Sequence, residues 1–182
     1  MDNGASSYRR YLDGEEEAFD SLVKEYYGPL VLFLTGYVRE PSVAEDIAMD
    51  AFADLIVHRH RYDFRVSFRT YLYMLGRSRA LNYIKRSKIL SFTPLDEAEP
   101  LVDPVPTLED AFVTKERNRE LAEAMNSLKR DQQEVIRLVY WQGFSCEEAA
   151  RVMGKSRKQV YNLLFRAKNA LKAVLEEKGK TI

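Results

Sequence analysis

Apolar residues recur along this chain with a helical period almost throughout, and the period breaks where capping or helix-breaking residues stand. Residues 1–12 are polar and are expected to be loose. Phe19, Leu22, Val23 and Tyr26 then predict a helix from Glu15 to Tyr27, with acidic residues in its first turn and Gly28-Pro29 as a break. A second helix is expected from Leu30 to about Arg39, stopped by Glu40-Pro41. Ser42 with Glu45 has the spacing of a capping box, so a third helix is expected to run to about His60, with Ala44, Ile47, Ala48, Ala51, Leu55 and either Ile56 or Val57 inward. Arg61 to Val66 has no period and reads as a loop. Ser67 to Arg86 resumes as helix, burying Leu72, Gly76, Ala80, Tyr83 and Ile84 and leaving Tyr71, Leu75, Ser78, Arg79, Asn82, Lys85 and Arg86 opposite.

Helix returns over residues 109–127, with Phe112, Leu121, Ala124, Met125 and Leu128 as expected core positions. Asp131 and Glu134 are expected to cap a further helix that buries Val135, Ile136 and Val139 and closes at Gly143. The pattern is sharpest beyond it. Ser145 and Glu148 form a capping box, Cys146, Ala149, Ala150 and Met153 share one face, and Gly154 stands where a left-handed terminal residue is wanted. Ser156 and Gln159 form a second box immediately after, and Val160, Leu163, Leu164, Ala167 and Leu171 supply the next apolar stripe. The remaining faces of that helix carry Arg157, Lys158, Tyr161, Asn162, Phe165, Arg166, Lys168 and Asn169, and no acidic residue lies between Ala149 and Leu175. A cationic helix entered through a tight turn suits the major groove of DNA.

Charge divides the chain where the periodicity does. Residues 1–86 hold 12 basic and 13 acidic residues, 87–110 hold 1 and 6, and 111–182 hold 15 and 9, although the formal net charge of the whole is zero. Pro94, Pro100, Pro104 and Pro106 fall in or next to the acidic stretch, which reads as a semi-extended linker. The predicted fold is all-α, with two small helical modules at 13–88 and 109–176, a linker at 89–108, and a helix-turn-helix in the second module. A lone cysteine, Cys146, leaves no partner for a disulfide within the chain and fits a reducing compartment. No apolar run resembles a signal peptide or membrane span, so a cytoplasmic location is expected.

Three motifs in this order resemble the extracytoplasmic-function sigma factors of the sigma-70 family: AEDIAMDAF at 44–52, FRTYLYMLGRSRALNYIKR at 68–86, and FSCEEAARVMGKSRKQVYNLLFRAKNAL at 144–171. The resemblance covers residues 15–172 and implies a non-enzymatic, cofactor-free subunit that directs bacterial RNA polymerase to promoters. It implies that helix 43–60 docks on the clamp-helices coiled coil of the polymerase large subunit through Asp46, Met49, Asp50, Phe52 and Ala53. It implies that loop 61–67 and the helix behind it melt and hold the minus-ten element with Tyr71, Ser78, Arg79, Asn82 and Arg86. Arg157, Lys158, Tyr161, Asn162, Phe165 and Arg166 would bind the minus-thirty-five element, the acidic linker would thread the polymerase toward its RNA-exit path, and an anti-sigma factor would hold the protein inactive. The sequence departs from the family pattern at Met49-Asp50, at Tyr71 where tryptophan is usual, and at Ser78 where asparagine is common. Serine lacks the paired donor and acceptor of an amide, which points to relaxed or shifted minus-ten readout.

Two other classes fit less well. A conventional helix-turn-helix regulator would need a ligand pocket or dimerisation helix in residues 15–86, where an acidic helix and a basic-aromatic helix stand instead. A metal enzyme built on His58, His60 and Asp63 is disfavoured because histidines at i and i+2 point to different helix faces, and no glycine-rich phosphate loop or nucleophile elbow is present.

Overall fold

The computed structural model describes residues 4–91 and 121–179, with side chains over 4–87 and 121–177. Most of the expected linker, the expected helix up to residue 120 and its Phe112 lie outside the described residues. The chain divides into two compact units, residues 1–95 with 151–154 and residues 96–150 with 155–182, and 151–154 are continuous in the chain with the helices of the second. All regular structure among the described residues is helical.

The first unit contains α1 (Ala5–Leu12), α2 (Glu16–Val38), α3 (Pro41–Val57) and α4 (Phe68–Ser91). Helix α1 corrects, for Ala5–Leu12, the expectation that residues 1–12 are loose. Its sequence is polar except for its tyrosines and a few small or apolar residues, but Tyr8 is fully buried and donates from its hydroxyl to the Leu55 carbonyl at 3.1 Å and the Arg59 carbonyl at 2.9 Å. Leu55 lies in the last turn of α3, where helix carbonyls lack intrahelical partners, and Arg59 stands just beyond the helix end. One side chain thus anchors one helix and caps another.

Gly28-Pro29 does not break the chain into two helices, because α2 runs straight through Pro29. An interior proline costs roughly 3 kcal/mol in a helix. Here Gly28 and Pro29 face solvent, while Leu22, Tyr26, Leu30, Phe33 and Leu34 continue one buried stripe across them. At roughly 1.5–3 kcal/mol for each large apolar side chain buried, that stripe outweighs the proline. Arg39, at φ 63, ends the helix.

The start of α3 also differs from the expected Ser42 box. Pro41 occupies the first turn with its fixed φ already helical, Glu40 becomes the N-cap, and the Ser42 hydroxyl donates to the Glu40 carboxylate at 3.0 Å. Ile56 and Val57 are both exposed rather than inward, and α3 ends at Val57 instead of His60. Loop 58–67 follows, and Ser67 opens α4 by accepting from the Thr70 amide at 3.2 Å. Leu72, Gly76 and Ala80 are buried as expected, whereas Tyr83 is exposed. A Cβ on Gly76 would come within 3.1 Å of a Leu30 methyl, so glycine is what lets α4 lie close against α2. Helix α4 continues to Ser91, into the stretch expected to be linker.

The second unit contains a helical segment α5 (residues 121–126), α6 (Arg130–Ile136), a π-helical turn (Arg137–Trp141), α7 (Cys146–Met153) and α8 (Arg157–Gly179). Helix α6 begins earlier than the Asp131–Glu134 pair suggests. The Gln132 side-chain oxygen accepts from the Lys129 amide at 3.0 Å, which leaves Asp131 to pair with Lys155 at 2.9 Å, while Glu134 is buried. The wide turn at 137–141 shifts the register, so Leu138 is fully buried and Val139 only partly, and Tyr140 and Trp141 turn outward. They edge an apolar groove of about 670 Å³ whose walls include Leu121, Met125, Ile136, Leu171 and Leu175.

Replacing Tyr8 with phenylalanine removes one hydroxyl donor, shared between two carbonyls, but little apolar surface. The Tyr8→Phe variant should lose about 1–3 kcal/mol of stability, read by urea unfolding of the full chain followed by circular dichroism. An unchanged midpoint would mean that α1 does not brace α3.

Candidate nucleic-acid interface

In the second unit, both serine boxes form. The Ser145 amide and hydroxyl donate to the Glu148 carboxylate at 2.9 and 2.8 Å, and the Glu148 amide donates back to the Ser145 hydroxyl at 3.2 Å. The Ser156 amide donates to the Gln159 side-chain oxygen at 2.8 Å and the Gln159 amide to the Ser156 hydroxyl at 3.2 Å. Between them Gly154 adopts φ 64, the Lys155 amide reaches the Ala150 carbonyl at 2.9 Å, and the Gly154 amide reaches the Arg151 carbonyl at 3.2 Å. This is the Schellman closure, which satisfies the last carbonyls of α7 and reverses the chain within two residues. Helix α8 then buries Val160 and Ala167, with Leu163, Leu164 and Leu171 partly covered. Cys146 is only half-buried, because it sits in the first turn of α7 rather than deeper in its apolar face.

That packing leaves Arg157, Lys158, Tyr161, Asn162, Phe165 and Arg166 exposed on α8, with Phe165 at 67%. The Arg157 guanidinium lies 5.5 Å from the centroid of the Tyr161 ring and donates to its hydroxyl at 3.5 Å. A stacked arginine keeps its outer donors free for base edges or phosphate. Phe165 and Tyr161 add apolar surface of the kind that meets a thymine methyl.

The first unit presents a different surface. Tyr71, Ser78, Asn82 and Arg86 lie at helical spacing along α4, with Ser78, Asn82 and Arg86 exposed. Tyr71 is half-buried and stacks on Tyr62 at 5.0 Å and 29°. Burial, with contributions from nearby carboxylates that Arg61 opposes, pushes its phenol above the ordinary value. Arg79 shares the stripe but is tied to α3, 3.1 Å from Asp54 and 3.7 Å from Asp50.

Sequence reasoning missed what supports this face. Tyr62 is buried, its hydroxyl donates to the Val66 carbonyl at 2.7 Å, and its ring meets Tyr8 at 5.5 Å and Phe68 at 5.9 Å. Phe64 holds φ 62 in the same loop, with the Arg9 guanidinium 4.7 Å from its ring centroid. Tyr62, Phe64, Val66 and Phe68 alternate with Arg61, Asp63, Arg65 and Ser67, a strand-like period, yet the segment before Phe68 is a loop, and the clustering of its aromatic rings depends on the tertiary fold. The exposed face of α3 carries Asp46, Met49, Asp50 and Ala53, extended by Ile56 and Val57. Phe52 lies beneath that face and not on it: it is buried with its ring 6.2 Å from Phe19 and 6.5 Å from Tyr27.

Residues 22–89 match the family model for sigma-70 region 2, and residues 118–171 match that for sigma-70 region 4. The chain is an extracytoplasmic-function sigma factor of the sigma-70 family. Among curated relatives, the RNA polymerase sigma factor YlaC of Bacillus subtilis (strain 168) is 25% identical over 157 residues, covering 86% of this chain and 91% of that protein. The ECF RNA polymerase sigma factor SigX of the same organism is 26% identical over 166 residues, covering 88% and 85%. The solved structure of the sigma factor RpoE in complex with the anti-sigma factor NepR from Bartonella quintana shares the fold, with a TM-score of 0.69 at 20% identity, covering 87% of this chain and 96% of that one. As an RNA polymerase sigma factor, the protein directs promoter recognition and transcription initiation and is itself non-catalytic. Among the described residues no helix is long and apolar enough to cross a membrane.

A Cβ at Gly154 would meet nothing within 4 Å, so its cost is conformational alone. Gly154→Ala should therefore destabilise the second unit by about 1–2 kcal/mol. The fluorescence of Trp141, the single tryptophan of the sigma factor, reports that unit during urea unfolding. An unchanged transition would show that the turn tolerates another conformation.

Proposed function

We propose that the two units of this sigma factor read two separate promoter elements, with the first (residues 13–88) also holding polymerase and the second (109–176) anchoring upstream. The observation that carries this reading is the contrast between the two exposed faces: a hydroxyl, amide and cation stripe behind an aromatic-braced loop in one unit, and a helix-turn-helix with an outward cationic helix in the other. Stacking and clamping suit an opened strand, whereas a helix entering through a capped turn suits the major groove.

In this reading Tyr71, Ser78, Asn82 and Arg86 hold the opened minus-ten strand and contribute to promoter melting. Arg157 and Lys158, at the entering end of α8, read minus-thirty-five base edges, with Tyr161, Asn162 and Phe165 completing the contact and Arg166 taking phosphate. Asp46, Met49, Asp50 and Ala53, with Ile56 and Val57 beside them, meet the clamp-helices coiled coil of the polymerase large subunit. Charged residues around an exposed apolar stripe are suited to a protein partner. The acidic linker at 89–108 threads the polymerase toward its RNA-exit path. An anti-sigma factor is a further partner. The apolar groove beside Tyr140 and Trp141 and the apolar stripe of α3 are the surfaces it would cover, and the related RpoE is bound to one. A cytoplasmic site of action follows from this role.

Selection of promoters from a random library with holoenzyme tests the residue assignments. Arg157→Ala and Lys158→Ala should each change the preferred upstream bases, by about 1–3 kcal/mol of discrimination for a bidentate contact. Arg166→Ala should weaken binding on all sequences alike and lower the salt slope by about 0.9. Uniform loss with all three variants would overturn the base-reading role of Arg157 and Lys158.

A further inference from the structure

Arg79 belongs by position to the exposed stripe of α4, yet its guanidinium is turned toward α3. Its strongest contact is with Asp54, at 3.1 Å, a carboxylate only 15% exposed. Its second is with Asp50, at 3.7 Å, which is 69% exposed and therefore well screened by solvent. Asp54 also faces His58 Nε2 at 3.8 Å and Arg61 at 4.0 Å, so it is the acidic centre of a junction between α3, the following loop and α4. Arg79 itself is one-third exposed. It is close enough to the strand-holding stripe to reach a phosphate once released.

We propose that Asp54 is a specificity-determining residue that withholds Arg79 from the phosphates of the opened strand. The proposal rests on the reading of α4 as the strand-holding face. A free guanidinium there would add affinity that is the same for every sequence, because phosphate contacts position a strand without reading it. Tied to an internal carboxylate, Arg79 adds none, and discrimination falls to the side chains that meet bases, Ser78 and Asn82 among them. A phosphate competing for Arg79 would have to leave Asp54, largely shielded from water, with only the two longer contacts to His58 and Arg61. That outcome is costly for a carboxylate whose best partner has gone.

The Asp54→Asn variant keeps the shape of the side chain and removes its charge. With the full chain bound to core polymerase, fluorescence anisotropy of a fluorescein-labelled oligothymidylate, titrated over salt, reads sequence-independent strand affinity. Asp54→Asn should bind tighter than the parent. Its slope of log affinity against log salt should be steeper by about 0.7, the value for one further phosphate on a single strand, so the gain shrinks roughly 2.6-fold between about 50 and about 200 mM salt. Adding Arg79→Ala to Asp54→Asn should abolish the gain. Weaker or unchanged binding by Asp54→Asn, or a gain that survives Arg79→Ala, overturns the proposal. The combined Asn82→Ala and Arg86→Ala variant separates the role of α4 from that of Asp54. If it fails to weaken binding, α4 is not the strand-holding face; if it weakens binding while Asp54→Asn does nothing, only the role given to Asp54 falls.

Discussion

With Gly154 at φ 64 and serine boxes opening the helices on either side, the chain passes from α7 to α8 with the exposed backbone groups of the turn paired. That closure fixes the angle at which α8 leaves, and the angle decides which residues of α8 face out. Every candidate DNA contact of the second unit depends on it. Val160 and Ala167 hold the inner side, and the pair between Lys155 and Asp131 ties the turn to the start of α6. The cations are outward because the apolar stripe leaves them no other place, not because they attract one another.

The first unit reaches a comparable result by a different route. Its candidate nucleic-acid face lies along α4 beside loop 58–67, and that loop must be held from below. Tyr62 does this by stacking under Tyr71 while its hydroxyl closes the loop on the Val66 carbonyl. Tyr8 holds Tyr62 in turn and caps the end of α3. Burial raises the Tyr8 phenol well above its ordinary value, which keeps it a hydrogen-bond donor. The helix expected to meet polymerase and the loop expected to meet DNA thus share one aromatic support, so disturbance of α1 should be felt at both.

Much of this was legible in the residues. The all-helical class, the two modules, the serine boxes and the outward set on α8 followed from spacing and capping chemistry, because those signals are local. Local signals failed where tertiary burial overrode them. Pro29 was expected to end a helix, but the stripe from Leu22 to Leu34 carries α2 across it. Ser42 offered a capping box, but Pro41 had already started the turn. Tyr8 was hidden in a polar stretch because its partners, Leu55 and Arg59, lie far away in sequence, and only the fold brings them together. The same distance concealed the tie between Arg79 and Asp54, and it placed Phe52 beneath the exposed face of α3 rather than on it. The π-helical turn at 137–141 left no clear mark in the periodicity beyond exchanging Val139 for Leu138 in the core.

We propose that neither unit acts as a free-standing DNA-binding domain and that promoter reading belongs to the complex with polymerase. Run-off transcription with core enzyme on a random promoter library, with and without the protein, tests it most directly. Transcripts are expected from a narrow class of templates sharing an upstream and a downstream element, only when both protein and core enzyme are present, with no tight specific shift of the same duplexes by the protein alone. Tight sequence-specific duplex binding without polymerase, together with no promoter-dependent transcript from any compatible core enzyme, would contradict it.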